Sequence, residues 1–140
     1  MSHLTTVKTE IRSIEALRAA CAALGLALQA GGRVRFYEGE SDPVDFHVKL
    51  PGRYDLGFTR QADGTYGFVA DEELIGGRSG TDDYGRGDAG RQLLGEDCRR
   101  LKREYSYAVL QAEARRKGLQ IRRQDQPNGH IKVVLTGRFA

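Results

Sequence analysis

The apolar and polar positions of this chain change period several times, and each change predicts an element. Tyr54, Leu56 and Phe58 alternate with Asp55, Gly57 and Thr59, the period of two that a half-buried strand requires. Tyr66, Phe68 and Ala70 repeat the pattern beyond Asp63-Gly64. A three-residue loop, Ala62 to Gly64 with Gly64 left-handed, sets Phe58 opposite Phe68 and Leu56 opposite Ala70. A two-residue Asp-Gly loop would instead face Phe58 with Val69. The aromatic register favours the longer loop, because a one-residue slip changes the buried face.

Strand periodicity also marks Leu4 to Ile11, with Thr5, Val7, Thr9 and Ile11 on one side. Ser13 is placed to cap a helix whose stripe is Ile14, Leu17, Cys21 and Leu24, ended by a left-handed Gly25. Leu26 and Leu28 start a strand, Gly31-Gly32 turns it, and Val34 with Phe36 carries the return. Val44 to Leu50 reads as another strand. That predicts five consecutive strands after the first helix, antiparallel because their connections are too short for crossovers. Residues 76–90 hold six glycines and read as a mobile loop. Leu94, Cys98, Leu101, Tyr105, Ala108 and Ala112 then give a helical stripe from about Ala89 to Lys117, with Gly118 as its cap. Leu119, Ile121, Ile131, Val133 and Leu135 predict a closing hairpin around Pro127-Asn128-Gly129. Helix, Gly-Leu, strand, turn, strand thus occurs twice, the pattern of a duplicated helix-strand-strand unit. The expected fold is α+β: a single domain over 1–140, a mainly antiparallel sheet of six to eight strands and two helices on one face.

Composition adds little to this picture: 140 residues, 39% hydrophobic and 29% charged, describe an ordinary globular domain. No apolar run is long enough to cross a membrane, and the opening residues lack the basic start and apolar block of a signal peptide. Cys21 and Cys98 fall on apolar helix faces and read as buried thiols. These features predict a cytoplasmic protein. Charge changes the picture more. The net charge of +3 conceals a segment from Glu38 to Asp83 with eleven acidic and four basic residues. From Cys98 to Ala140 the balance reverses, with eleven basic and three acidic residues. Such a split fits two faces of opposite sign, an internal match, or a basic surface for an acidic partner.

Candidate chemistry is sparse. His3, His47 and His130 show no metal-ligand spacing, so no metal or other cofactor is expected. The glycine-rich stretch lacks the Gly-Lys-Ser/Thr of a phosphate loop, which leaves Arg78, Arg86 and Arg91 as contacts for an anion or partner. The carboxylate pairs Asp42 with Asp45, Asp71 with Glu72 and Glu73, and Asp82 with Asp83 lie at turns, where solubility explains them. Neither cysteine has an evident base, and no catalytic motif predicts an enzyme. Arg99, Arg100, Lys102 and Arg103, with Arg115 to Lys117 and Arg122-Arg123, form a basic helix that could track phosphates, with Tyr105 or Tyr107 stacking on bases. The alternative is a solvated face that balances the acidic middle.

Two stretches together carry a resemblance. The opening Met1 to Ile11 and the block Tyr54-Asp55-Leu56-Gly57-Phe58, with Asp63-Gly64-Thr65-Tyr66 and Asp71, resemble the family of hypothetical chloroplast reading frame thirty-five, found in plastids, cyanobacteria and other bacteria. The tyrosine-containing helix and final hairpin are similar too. Members of that family commonly carry aromatic residues just after the aspartate at position 71, where this chain has Glu72 and Glu73. The resemblance implies no catalytic residues. It implies a bacterial accessory protein, and because members tend to be encoded near AAA-type ATPases it implies an adaptor with such an ATPase as partner. Asp71, Glu72, Glu73, Arg99 and Arg103 are the expected partner-binding residues. A nucleic-acid-binding module using the basic helix is the other expectation.

Overall fold

The computed structural model describes residues 4–75 and 88–137. Most of the stretch expected as a glycine-rich loop, 76–87, lies outside them. The main sheet has five antiparallel strands: β1 (Leu4–Val7), β2 (Gln29–Ala30), β5 (Phe46–Val48), β6 (Leu56–Arg60) and β7 (Tyr66–Asp71), in the order β1-β7-β6-β5-β2. Two small ribbons stand apart from it. One pairs β3 (Arg35–Phe36) with β4 (Gly39–Glu40); the other pairs β8 (Gln120–Asp125) with β9 (Ile131–Thr136).

The β6–β7 hairpin has the predicted register. Phe58 faces Phe68, and their rings meet edge to face with centroids 5.6 Å apart. Gln61 N–H donates to Thr65 O at 2.7 Å, so the loop is Ala62 to Gly64, and Gly64 has a φ of +86°. The β8–β9 turn copies this design. Gln126 N–H donates to His130 O at 2.8 Å, Gly129 has a φ of +87°, and Asn128 replaces Asp63 as the side chain bonded to the residue after the glycine.

One face of the sheet carries the main core. Val48, Leu56, Phe58, Phe68 and Ala70 pack there with Leu17 and Cys21 of α1 (Ile14–Ala23) and Leu101 of α4 (Arg99–Arg116). The two expected helices therefore do share a face. Ser13 caps α1 by accepting from Ala16 N–H at 3.1 Å. Both helices end in the same way. Leu26 N–H reaches Cys21 O and Leu119 N–H reaches Ala114 O, each at 2.8 Å, around the left-handed Gly25 and Gly118.

Two expectations are corrected. The first is the strand pair around Gly31-Gly32. Both glycines do turn the chain, but β2 pairs with β5 rather than with the returning strand. The segment that follows crosses the back of the sheet, where Val34 is wholly buried. It fits because Gly57 has no side chain: a Cβ there would lie 2.6 Å from Val34 Cγ2. The first helix-strand-strand unit thus lacks the strand pairing of the last, and the main sheet has five strands, not six to eight. The second correction concerns the long helix. It is broken into α3 (Ala89–Leu94), a tight turn at Glu96–Cys98, and α4. Gly95, Asp97 and Cys98 all have positive φ there. A stripe with the right spacing hides this break, because Leu94 and Cys98 are still buried on either side of it.

Candidate functional site

The acidic edge and the basic helix are the two surfaces the sequence singled out. At the acidic edge, β7 runs directly into α2 (Glu72–Ile75). Asp71 is fully buried and accepts from Tyr37 N–H and Glu73 N–H, each at 2.9 Å. It caps α2 and ties down the segment that crosses the back of the sheet. Glu73 accepts from the Tyr54 hydroxyl at 2.5 Å and lies 3.8 Å from Arg53. Burial, reinforced by that hydrogen bond, pushes the Tyr54 phenol up. Of the three acidic residues at this edge only Glu72 is exposed.

Beside it lies a charged network that sequence reasoning missed. Asp55 is 1% exposed and accepts from Arg35 Nε at 2.9 Å and Arg35 Nη2 at 2.8 Å. It also takes the backbone N–H groups of Arg35 and Leu50. Burial raises the Asp55 pKa, but these donors outweigh it, and the carboxyl sits below its ordinary value. Asp88, at the start of α3, accepts from Arg53, Gly90 and Arg91 N–H groups. The available signal was Asp55 inside an apolar alternation, where an unpaired charge would be costly.

The basic helix is less open than its sequence implies. Arg123 of β8 makes a two-pronged pair with Glu104 of α4, at 2.7 and 2.6 Å, and its guanidinium lies 4.8 Å from the centre of the Tyr107 ring. The Tyr105 hydroxyl accepts from Arg12 N–H and Ser13 N–H, each at 3.0 Å, joining α4 to the start of α1. The Tyr105 hydroxyl is thus bound to backbone, while Tyr107, half-buried, also lines the groove described below. Glu104 stands at helical spacing from Leu101 and Ala108, and that was the readable sign that it is buried. We expect Glu104→Gln to weaken the hold on the β8–β9 ribbon by about 2 kcal/mol, or about 30-fold in its opening equilibrium. Amide hydrogen exchange tests this: protection should fall in β8 and β9 but not in β6. A uniform loss would show that the pair does not hold the ribbon separately.

Between α4 and the ribbon runs a groove of about 550 Å³. Arg99, Lys102 and Arg103 line one end, and Leu110 and Val133 line the other. Arg103 donates from Nη1 to Gly129 O, which pins the ribbon's turn against the first half of α4. Arg99 and Arg103, two of the expected site residues, are thus brought together, and α2 with Glu72 packs near the turn that precedes Arg99.

Other candidates have structural roles. Burial pushes the Cys21 and Cys98 thiols up to about 12, so both stay protonated. The His47 ring nitrogen Nδ1 bonds Gly31 O at 2.6 Å, against Gly32. Among the described residues no group of three His, Cys, Asp or Glu side chains could hold a metal ion.

A family model described as a protein of unknown function, DUF1257, matches residues 20–134. The chain belongs to the DUF1257 family. A relative from Cyanophora paradoxa, described as uncharacterized protein ycf35, is 26% identical over 137 residues, which covers 96% of each chain. The resemblance read from the opening residues and the hairpin is borne out. No solved structure matches the chain. The DUF1257 match contains the acidic edge, α4 and nearly all of the β8–β9 ribbon, whereas the opening eleven residues precede it. No described helix of this DUF1257 protein is long and apolar enough to cross a membrane.

Proposed function

We propose that this protein is a small non-enzymatic adaptor of the bacterial cytoplasm that binds a protein partner, with a AAA-type ATPase the first partner to test. The observation that carries this reading is the groove beside α4, where apolar side chains stay open to solvent. Leu110 in the lining is 42% exposed, and Leu135, beyond the lining on the same face of β9 as Val133, is 48% exposed. Apolar surface of this kind, rimmed by charge, is what partner proteins cover. The buried, protonated cysteines and the carboxylates held in ion pairs support a binding role over a catalytic one. The ATPase rests on the family resemblance alone.

A second reading has its own support. Arg99, Arg100, Lys102 and Arg103 occupy little more than one helical turn, and a nucleic-acid backbone would meet them first. Both readings are tested by purifying the tagged chain with its bound proteins and by titrating it with RNA and DNA oligonucleotides at several salt concentrations. The adaptor reading expects an ATPase in a fixed ratio and only weak oligonucleotide binding. Tight, salt-steep oligonucleotide binding that disappears in the Arg99→Glu, Arg103→Glu double variant, with no protein retained, would overturn it.

A further inference from the structure

We infer that the groove between α4 and the β8–β9 ribbon receives a short helical segment of the partner protein, with acidic residues at one end and apolar residues at the other. This rests on the adaptor reading above and specifies the chemistry of the partner. Charge complementarity sets the acidic end. Among the described residues the lining includes Arg99, Lys102 and Arg103 and no carboxylate, with Asp97 outside it 3.5 Å from Lys102. All three cations sit in the first turns of α4, whose amide dipoles add to the positive potential. Seven and eleven residues further along the helix the lining becomes Ser106 and Leu110. Across the groove, Ile131 and Val133 follow in the same direction away from the turn pinned by Arg103. The two halves of the groove therefore ask for different side chains.

Its length and walls set the shape. Arg99 and Leu110 are separated by about 16 Å along the helix axis, which matches about three turns of a docked helix. The ribbon turns a side-chain face to α4, since Arg123 on that face reaches Glu104. An occupant is therefore anchored by side chains in the manner of a helix in a groove, not by strand addition. Nucleic acid suits the site less well. Arg123 lies over one face of the Tyr107 ring, which also lines the groove, and the cations do not continue along the apolar half.

Fluorescence anisotropy with labelled synthetic peptides tests the inference. One peptide carries Glu and Asp in its first half and Leu and Ile in its second. A control has the same composition with the two kinds intermixed. The segmented peptide should bind at least tenfold more tightly than the control. Arg99→Glu with Lys102→Glu should weaken it at least tenfold and flatten its salt dependence. Leu110→Ser should weaken it with the salt dependence unchanged. Circular dichroism and an unchanged melting temperature show that the variants remain folded. Equal affinity for both peptides, indifference to all these substitutions, or binding of a uridine oligonucleotide in place of every peptide would overturn the inference. So would self-association of the chain that the same substitutions abolish, which would make a second copy the occupant. If an ATPase co-purifies and is retained equally by all the variants, the groove assignment fails and the adaptor reading stands. If the wild-type chain retains no protein and binds no peptide, both fail.

Discussion

Replacing Arg35 with alanine lowers the stability of this protein by about 3 kcal/mol, the lower end of the cost of leaving a buried charge without its partner. The lower end applies because the Arg35 side chain is itself 43% exposed, whereas that of Asp55 is 2% exposed. The carboxylate left behind keeps the backbone donors of residues 35 and 50 but loses its two-pronged counter-charge. Urea unfolding at neutral pH measures the loss. The pH dependence supplies a second check. The folded pKa of Asp55 is depressed, so the unfolded chain binds more protons and stability rises with pH across that interval. The contribution is fully present above the unfolded value, about 3.9, and is lost as pH falls through the folded pKa. The gap between wild type and Arg35→Ala should therefore narrow as the solution is acidified below about pH 4. A gap under about 1 kcal/mol at neutral pH would mean that solvent had already screened the pair.

Gly57→Ala should cost about 2 kcal/mol, a typical cost of forcing one extra carbon into a packed layer. The new Cβ would lie 2.6 Å from Val34 Cγ2 and 3.2 Å from Val44 Cγ1. Val34 is wholly buried and cannot swing outward. A double-mutant cycle identifies the cause. Val34→Ala leaves a cavity when made alone, but combined with Gly57→Ala it should cost less than the two changes added together. Simple additivity in thermal unfolding would show that the back-face crossing does not depend on this contact.

These two sites show where sequence patterning succeeds and where it stops. Turns and caps were readable because their physics is local. Gly64, Gly25 and Gly118 hold the left-handed positions their neighbours require, and Ser13 has its hydroxyl within reach of a nearby amide. Long-range pairing was not readable. Nothing near Gly31-Gly32 states that the next strand will cross behind the sheet, because the reason lies at Gly57, 25 residues or more away in the chain. The break in the long helix was hidden for a related reason. Two consecutive left-handed residues at Asp97 and Cys98 are costly locally, and the burial of Cys98 and Leu94 in one core helps to offset that cost. Arg99 and Arg103 did come together at one groove, as a helical spacing of four demands. The burial of Asp71 was not readable, because a capping aspartate and an exposed one look the same in one dimension. The contacts of Arg123, Tyr105 and Tyr107 were not readable because their partners lie in other elements.

Among the described residues the β8–β9 ribbon is hydrogen-bonded to no other sheet, and it is tied to α4 by the Glu104–Arg123 pair and the Arg103 contact to its turn. A binding wall supported in this way makes recognition and local folding one linked equilibrium. Only molecules with the ribbon closed present the groove, so measured affinity scales with the closed fraction. The reverse holds equally. An occupant at a hundred times its dissociation constant would stabilise the closed ribbon by about 2.7 kcal/mol. Substitutions that loosen the ribbon would then weaken binding without touching the occupant, and saturating occupant would mask them.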